Sequence, residues 1–181
     1  MKNNSERKKA VFLDRDGVLN HALIKNGKPY PPANLKELTI PNDAKTALNM
    51  LKSHGFLLIG ATNQPDVARG TTPREIVEMI NRQIMSFLPL DDIRVCYHDN
   101  PDNCECRKPL AGLLIQAADD YDIDLAQSIM VGDRWKDIEA GKNAGCKTIW
   151  LRCNYNEPEP PRAPDFIASS LSQAAEWVIS C

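Results

Sequence analysis

The sequence predicts an α/β fold, a mostly parallel sheet between two layers of helices, and three observations carry that prediction. Apolar runs of strand length recur at residues 10–13, 56–61, 93–97, 128–131 and 147–151. Between them lie segments whose apolar residues repeat at helical spacing. Four of the polar clusters fall where a run ends. Strands that alternate with helices in this way are joined by crossovers, which gives a parallel sheet covered on both faces. Ligands of such sheets gather outside the carboxyl ends of the strands.

The elements follow in order. Residues 1–9 are polar and basic and read as a loose tail. Residues 10–13 form the first buried strand, which delivers Asp14, Asp16 and Gly17 to its carboxyl end. Turn formers from Asn20 to Pro32 show neither period and read as a loop beside that end. Asn42 or Asp43 caps a helix with Ala44, Ala47, Leu48 and Leu51 on its apolar face, and Gly55 closes it. Residues 56–61 are the second strand, running into Thr62-Asn63-Gln64. Thr72-Pro73-Arg74-Glu75 has the capping-box pattern, so a helix starts there and reaches about Phe87. The third strand is 93–97, a helix spans 110–121, and the fourth strand, 128–131, ends in Gly132-Asp133. A helix at 136–144 stops at Gly145 and is followed by the fifth strand, 147–151. A proline-rich crossing at 154–164, a short strand at 166–168 and a helix at 171–179 complete the chain. At 181 residues this is a single domain spanning 1–181.

Composition excludes several function classes. Lys and Arg number 22 against 24 Asp and Glu, so no global basic field exists to hold nucleic acid. The three tryptophans read as packing residues rather than base-stacking platforms. No apolar run approaches the roughly 20 residues that span a bilayer, and a cytoplasmic monomer without nucleic-acid or membrane partners is expected. Of six cysteines, Cys96, Cys104 and Cys106 crowd into eleven residues with His98 among them. A disulfide framework would spread them, whereas this cluster reads as a metal site.

The polar clusters contain what phosphoryl transfer requires. Asp14 would attack phosphorus and form an aspartyl-phosphate. Asp16 would protonate the departing oxygen and then activate water. Asp14, Asp16 and Asp133 together would hold Mg2+, a hard ion that prefers oxygen ligands. Thr62 and Asn63 can donate to phosphate oxygens, and Lys108 can neutralise transition-state charge. Cys96-x-His98-x5-Cys104-x-Cys106 offers four ligands suited to a closed, structural Zn2+ in a loop over 96–106. A zinc ion there would pin the backbone of Arg107 and Lys108 beside the site.

Asp14-x-Asp16-Gly17, Thr62-Asn63, Lys108-Pro109 and Gly132-Asp133-x-x-x-Asp137 resemble, in order, the four motifs of the haloacid dehalogenase-like phosphohydrolase superfamily. The resemblance implies a Rossmann-like three-layer sandwich, Mg2+ and the two-aspartate mechanism. Val18 departs from the threonine that many relatives carry. The spacings leave no room for a cap domain, so the site is expected to be open, covered only by residues 25–32 and the cysteine loop.

The zinc loop together with Asp14-Arg15-Asp16-Gly17 is similar to a narrower branch, the D-glycero-D-manno-heptose 1,7-bisphosphate and histidinol-phosphate phosphatases. Thr62-Asn63-Gln64 and Ala68-Arg69-Gly70 look like the heptose enzymes, whereas the short gap from His98 to Cys104 is similar to the histidinol-phosphate enzymes. The resemblance implies that Thr62, Asn63, Gln64 and Arg107 touch substrate, that Lys108 holds the phosphoryl group and that Arg134 lies beside the metal aspartate. Asp137 would orient Lys108 or a metal-bound water. Arg69, Arg107 and Arg134 suit a second anionic group, which favours hydrolysis of the 7-phosphate of the heptose bisphosphate, a precursor of surface polysaccharide. Histidinol phosphate is the alternative substrate, and an inactive zinc-stabilised binding module is a second alternative. A nucleic-acid end phosphatase fits the acidic charge balance poorly.

Overall fold

The computed structural model describes residues 7–181. Six strands form one sheet: β1 (Ala10–Leu13), β4 (Leu57–Asn63), β5 (Asp92–Cys96), β6 (Ile129–Gly132), β7 (Lys147–Leu151) and β8 (Phe166–Ala168). Every pair is parallel, and the spatial order is β5-β4-β1-β6-β7-β8. The chain moves from β1 outward to β4 and β5, then returns to place β6 on the other side of β1. The carboxyl end of β1 is therefore the topological switch point, where a crevice opens. Asp14 sits there.

Strand periodicity sorts the core into two layers. Val11 and Leu13 pack with α1 (Ala44–Ser53), α2 (Arg74–Phe87) and α5 (Leu171–Ser180). Ala10 and Phe12 face the other way, onto Leu113, Leu114 and Ala117 of α3 (Gly112–Tyr121). α4 (Trp135–Ala144) lies beside α3 and covers β6 and β7. Apart from one hairpin, no segment among the described residues folds away from this sandwich, and there is no cap domain.

Three local expectations change. Residues 20–32 are not an irregular loop but carry a hairpin, β2 (Leu23–Lys25) antiparallel to β3 (Lys28–Tyr30). Its turn is Asn26-Gly27, with φ of 52° and 72°, the pairing that two-residue hairpins favour. Asp43 stands at the N-cap of α1 but spends its carboxylate on the backbone N–H and hydroxyl of Ser172, at 3.0 and 3.2 Å, fastening α5 to α1. Thr72 does not cap α2. Pro73 takes the N-cap position in extended geometry, so the helix begins at Arg74. The expected tail over 1–9 falls partly outside the described residues. Within them Lys8 bridges Ile123, and the Lys9 carbonyl accepts from the Leu57 N–H at 2.9 Å.

Candidate active site

Three strand ends, one helix start and the segment before α3 build the site. The β1 end supplies Asp14, 7% exposed, and Asp16. The β4 end supplies Thr62 and Asn63. The β6 end supplies Asp133, from which Asp137 follows in the first turn of α4. Lys108 arrives from the segment before α3 and is 2% exposed.

Lys108 is the hub. Its Nζ lies 2.8 Å from Asp14 Oδ1 and 2.6 Å from Asp137 Oδ1, and it donates to the Ala61 carbonyl at 2.6 Å. Its three donors are thereby spent on two carboxylates and the sheet. Burial alone would lower its pKa, but Asp137 and Asp14 outweigh burial and hold it well above the usual lysine value. Asn63 fixes the same residue from the other side. Its Oδ1 accepts from the Lys108 N–H at 3.1 Å and its Nδ2 donates to the Lys108 carbonyl at 3.0 Å. Asn63 lines the cavity, yet its main work is to position Lys108.

Asp14, Asp133 and Asp137 form a group whose oxygens lie within 4.8 Å of one another. Burial, then repulsion from Asp137, raises the Asp14 pKa to about 6 despite Lys108. Burial and the neighbouring Asp14 and Asp137 raise Asp133 well above the usual range. Both Asp133 oxygens are buried without a hydrogen-bond partner. Such a concentration of buried negative charge, one lysine against three acids, calls for a further cation. Hard oxygen donors with two orphaned lone-pair sets fit Mg2+.

The expected Mg2+ ligand set is Asp14, Asp16 and Asp133; in the structure Asp14 and Asp133 group with Asp137, while the Asp16 carboxylate is engaged elsewhere. The cause is Arg15, which is fully buried and needs a counter-charge. Its guanidinium forks onto both Asp16 oxygens, the closest contact being 2.9 Å, while Nη1 donates to Asn81 of α2 at 2.9 Å. Asp16 also accepts from Asn20 Nδ2 at 3.1 Å and from Gln64 Nε2 at 2.7 Å. Gln64 bridges onward to the Thr62 hydroxyl at 2.9 Å. The carboxylate of Asp16 still faces the same cavity as Asp14. Asp137, expected to orient Lys108, does so with Oδ1, and its Oδ2 accepts from the Arg134 N–H at 3.0 Å.

Gly17 lets the turn after β1 approach Asp133 closely. Its φ is +104°, and a Cβ there would stand 2.4 Å from Asp133 Oδ2 and 2.8 Å from the Tyr155 hydroxyl. Gly17→Ala is therefore expected to destabilise the protein by about 1–3 kcal/mol and to weaken divalent-metal binding by displacing Asp133. Thermal denaturation and a Mg2+ titration of the variant check both parts. A variant with unchanged melting temperature and Mg2+ affinity would contradict the crowding.

The cavity, about 210 Å³, also collects Arg69, Arg107 and Arg134, and with them Lys136, which the sequence reading missed. Half-burial, then repulsion from Arg107 and Arg134, depresses the Lys136 pKa, the mark of a cationic cluster that an anion would relieve. Arg69 is the most fully matched, paired with Asp99 at 2.6 Å and with Asp66 at 3.2 Å, whereas Arg134 and Arg107 each have one carboxylate partner, Glu157 at 3.2 Å and Asp99 at 3.4 Å. The hydrogen bond from Arg69 holds the Asp99 carboxyl down at about 2. Hairpin residues Pro29, Tyr30 and Pro31 form the outer wall, as the expected cover.

The cysteine loop is the second metal candidate. Its ligand atoms are spaced 3.7 Å (Cys96 to His98), 3.7 Å (Cys96 to Cys104), 3.3 Å (His98 to Cys106) and 3.5 Å (Cys104 to Cys106). Tetrahedral thiolates around one zinc stand about 3.8 Å apart, so the spacing fits. The loop reaches into the site through Arg107, which donates to the Asn100 side chain at 2.9 Å and the His98 carbonyl at 3.1 Å.

Comparison with known proteins agrees with this architecture. A family model described as HAD-hydrolase-like matches residues 105–174. The D-glycero-beta-D-manno-heptose-1,7-bisphosphate 7-phosphatase of Haemophilus ducreyi is 37% identical over 94% of this chain and 98% of its own length. The D-glycero-alpha-D-manno-heptose-1,7-bisphosphate 7-phosphatase of Campylobacter jejuni is 34% identical over 79% of this chain and 81% of its own. The solved D,D-heptose 1,7-bisphosphate phosphatase of B. bronchiseptica, complexed with magnesium and phosphate, superposes with a TM-score of 0.77 at 28% identity, covering 95% of this chain and 98% of that one. With the phosphatase motifs converging on one crevice of the matching fold, the chain belongs to the haloacid dehalogenase-like phosphatases, in the branch that contains the heptose bisphosphate phosphatases.

Proposed function

We propose that this protein hydrolyses the 7-phosphate of D-glycero-D-manno-heptose 1,7-bisphosphate, acting as a cytoplasmic monomer with Mg2+ and a structural Zn2+. The observation that carries the substrate is the grouping of Arg107, Arg134 and Lys136 on the cavity that holds Asp14. One phosphate placed at Asp14 leaves these cations for the other. The names of the relatives point the same way. A histidinol cation would need a free acid at the mouth, and Asp66 there is paired with Arg69.

In the proposed reaction Asp14 attacks the phosphorus in line with the departing sugar oxygen. The bond from phosphorus to that oxygen breaks as Asp16 delivers a proton to it, leaving an aspartyl-phosphate. Water then attacks the same phosphorus, Asp16 takes its proton, and inorganic phosphate leaves with Asp14 restored. Thr62, whose hydroxyl accepts from Gln64, keeps its own proton free to donate to a phosphoryl oxygen. Asp14, Asp16 and Asp133 are the residues that would hold Mg2+, with Asp137 beside them, and the ion when bound would supply charge neutralisation and polarisation of the phosphoryl oxygens. No helix among the described residues is long and apolar enough to cross a membrane.

Phosphate release is to be compared across both anomers of the heptose 1,7-bisphosphate, the 7-monophosphate, histidinol phosphate and a 3'-phosphorylated oligonucleotide. The bisphosphate is expected to exceed the monophosphate in kcat/KM by about tenfold or more, a charge-assisted contact supplying roughly 1.5–3 kcal/mol. Equal rates for the two sugars, or preference for histidinol phosphate, would refute the assignment of the cationic cluster. The relatives carry both anomer names, and the ratio of the two anomers places this chain between them.

A further inference from the structure

The chain leaving β7 crosses the surface beside Asp133, with Cys153, Tyr155 and Glu157 turned inward and Arg152, Asn154 and Asn156 exposed. Its residues Cys153, Tyr155 and Glu157, with Asp133, Trp150 and Arg152, enclose a second cavity of about 140 Å³. The segment is anchored at both ends of this stretch. Cys153 Sγ lies 3.5 Å from the Gly17 carbonyl, and Glu157 Oε2 pairs with Arg134 Nε at 3.2 Å. The Glu157 side chain is only 5% exposed.

Four polar atoms of the residues lining this cavity are not satisfied by the protein. The Tyr155 hydroxyl, Glu157 Oε1 and both Asp133 oxygens are buried and have no hydrogen-bond partner. Among the described residues only one further buried side-chain atom, Asn20 Oδ1, shares that condition. Four of the five orphans thus belong to residues lining one cavity. Native proteins satisfy such groups with water or ions, and the cavity beside these atoms is roomy enough to hold water. Tyr155 and Asp133 Oδ2 also flank the same spot over Gly17, at 2.8 and 2.4 Å from where its Cβ would be. The hydroxyl is a donor beside an acceptor-only carboxylate, and Glu157 adds an acceptor.

We propose that Tyr155 and Glu157 are positioning residues for the Mg2+ site, holding the Asp133 carboxylate and the waters around it from the side opposite the substrate cavity. Glu157 does so while fixing Arg134, so one residue aligns both the metal aspartate and a cation of the substrate cluster. Outer partners of this kind set ligand orientation, and their loss typically weakens metal affinity 10- to 100-fold. The proposal rests on the reading of Asp133 as a Mg2+ ligand.

The test is calorimetric titration of Mg2+ alone into the Mg2+-free, zinc-retaining full chain and its variants, with melting temperatures measured before Mg2+ is added. Tyr155→Phe removes one oxygen that bonds to no protein atom, so a purely structural role predicts a neutral or slightly stabilising change. The expected result is a Mg2+ dissociation constant raised about tenfold, with the Mg2+-free melting temperature unchanged. Glu157→Gln is expected to weaken Mg2+ comparably, and the double variant to lose less than the product of the two because they share the same waters. Should Glu157→Gln fail to fold, Tyr155→Phe decides alone. Unchanged Mg2+ affinity in folded Tyr155→Phe overturns the proposal. Asp133→Asn separates the two readings. If it binds Mg2+ as the native chain does, the metal assignment falls and this inference with it; if it loses Mg2+ while Tyr155→Phe does not, only this inference falls.

Discussion

Asp14→Asn is expected to abolish phosphate release, by roughly 10⁴-fold or more, while the Mg2+-free protein keeps or gains stability. The loss follows from chemistry, since an amide oxygen cannot form the acyl-phosphate that splits the displacement into two steps. The stability arm follows from burial. Asp14 has its pKa raised to about 6 in the folded chain from an ordinary 3.8, chiefly by desolvation and then by Asp137. Between those values the folded protein binds more protons than the unfolded one, so stability contributed at this position falls as pH rises through the window. Below about pH 4 both states carry the proton and the term vanishes. Asparagine cannot ionise, and it still offers an oxygen to Lys108, which keeps Asp137 and the Ala61 carbonyl. The stability difference between variant and native chain should therefore open in favour of the variant from pH 4 to pH 6. Denaturant melts at three pH values, alongside phosphate-release assays, measure both arms. Residual turnover near the native rate would remove Asp14 as nucleophile, and a variant equally destabilised at every pH would refute the burial argument.

The sequence disclosed what the backbone period controls, and hid what depends on where a long side chain turns. Asp14, Thr62 and Asp133 were legible because each ends an apolar run, and parallel strands bring such ends together. The cluster of Cys96, His98, Cys104 and Cys106 was legible from its spacing. The pairing of the Asp16 carboxylate with Arg15 was hidden, because Arg15 has a charged side chain whose burial no pattern announces. The hairpin at 23–30 was readable after all. Asn26-Gly27 is a strong short-range turn signal, but its flanking strands of three residues are too short to show alternation. Tyr155 and Glu157 had no signal of either kind. They lie in a proline-rich crossing and reach Asp133 only because β7 is seated next to β6.

Removal of zinc is expected to damage the site from a distance without touching a phosphoryl contact. Purified protein should contain about one zinc per chain, retained in excess Mg2+, because the thiolate and imidazole ligands suit a softer ion. Stripping it, or replacing Cys106 by serine, leaves Cys96, Cys104 and His98 without the centre that joins the end of β5 to the segment before α3. That segment is Arg107-Lys108, the source of both a cluster cation and the hub lysine. Arg107 is held by loop atoms, the His98 carbonyl, the Asn100 side chain and the Asp99 carboxylate, and Asp99 also holds Arg69. A destabilisation of about 3–4 kcal/mol would lower the melting temperature by roughly 10 °C in a chain of this size. Displacement of Lys108 by even an ångström costs on the order of 100-fold in rate. Both losses should be restored by Zn2+ and not by Mg2+, since the two sites differ in ligand softness. A chain that purifies without zinc, or one whose melting temperature and kcat survive zinc removal, would break the link from Cys106 through Arg107 to Lys108, and the cysteine loop would then have to be explained without the active site.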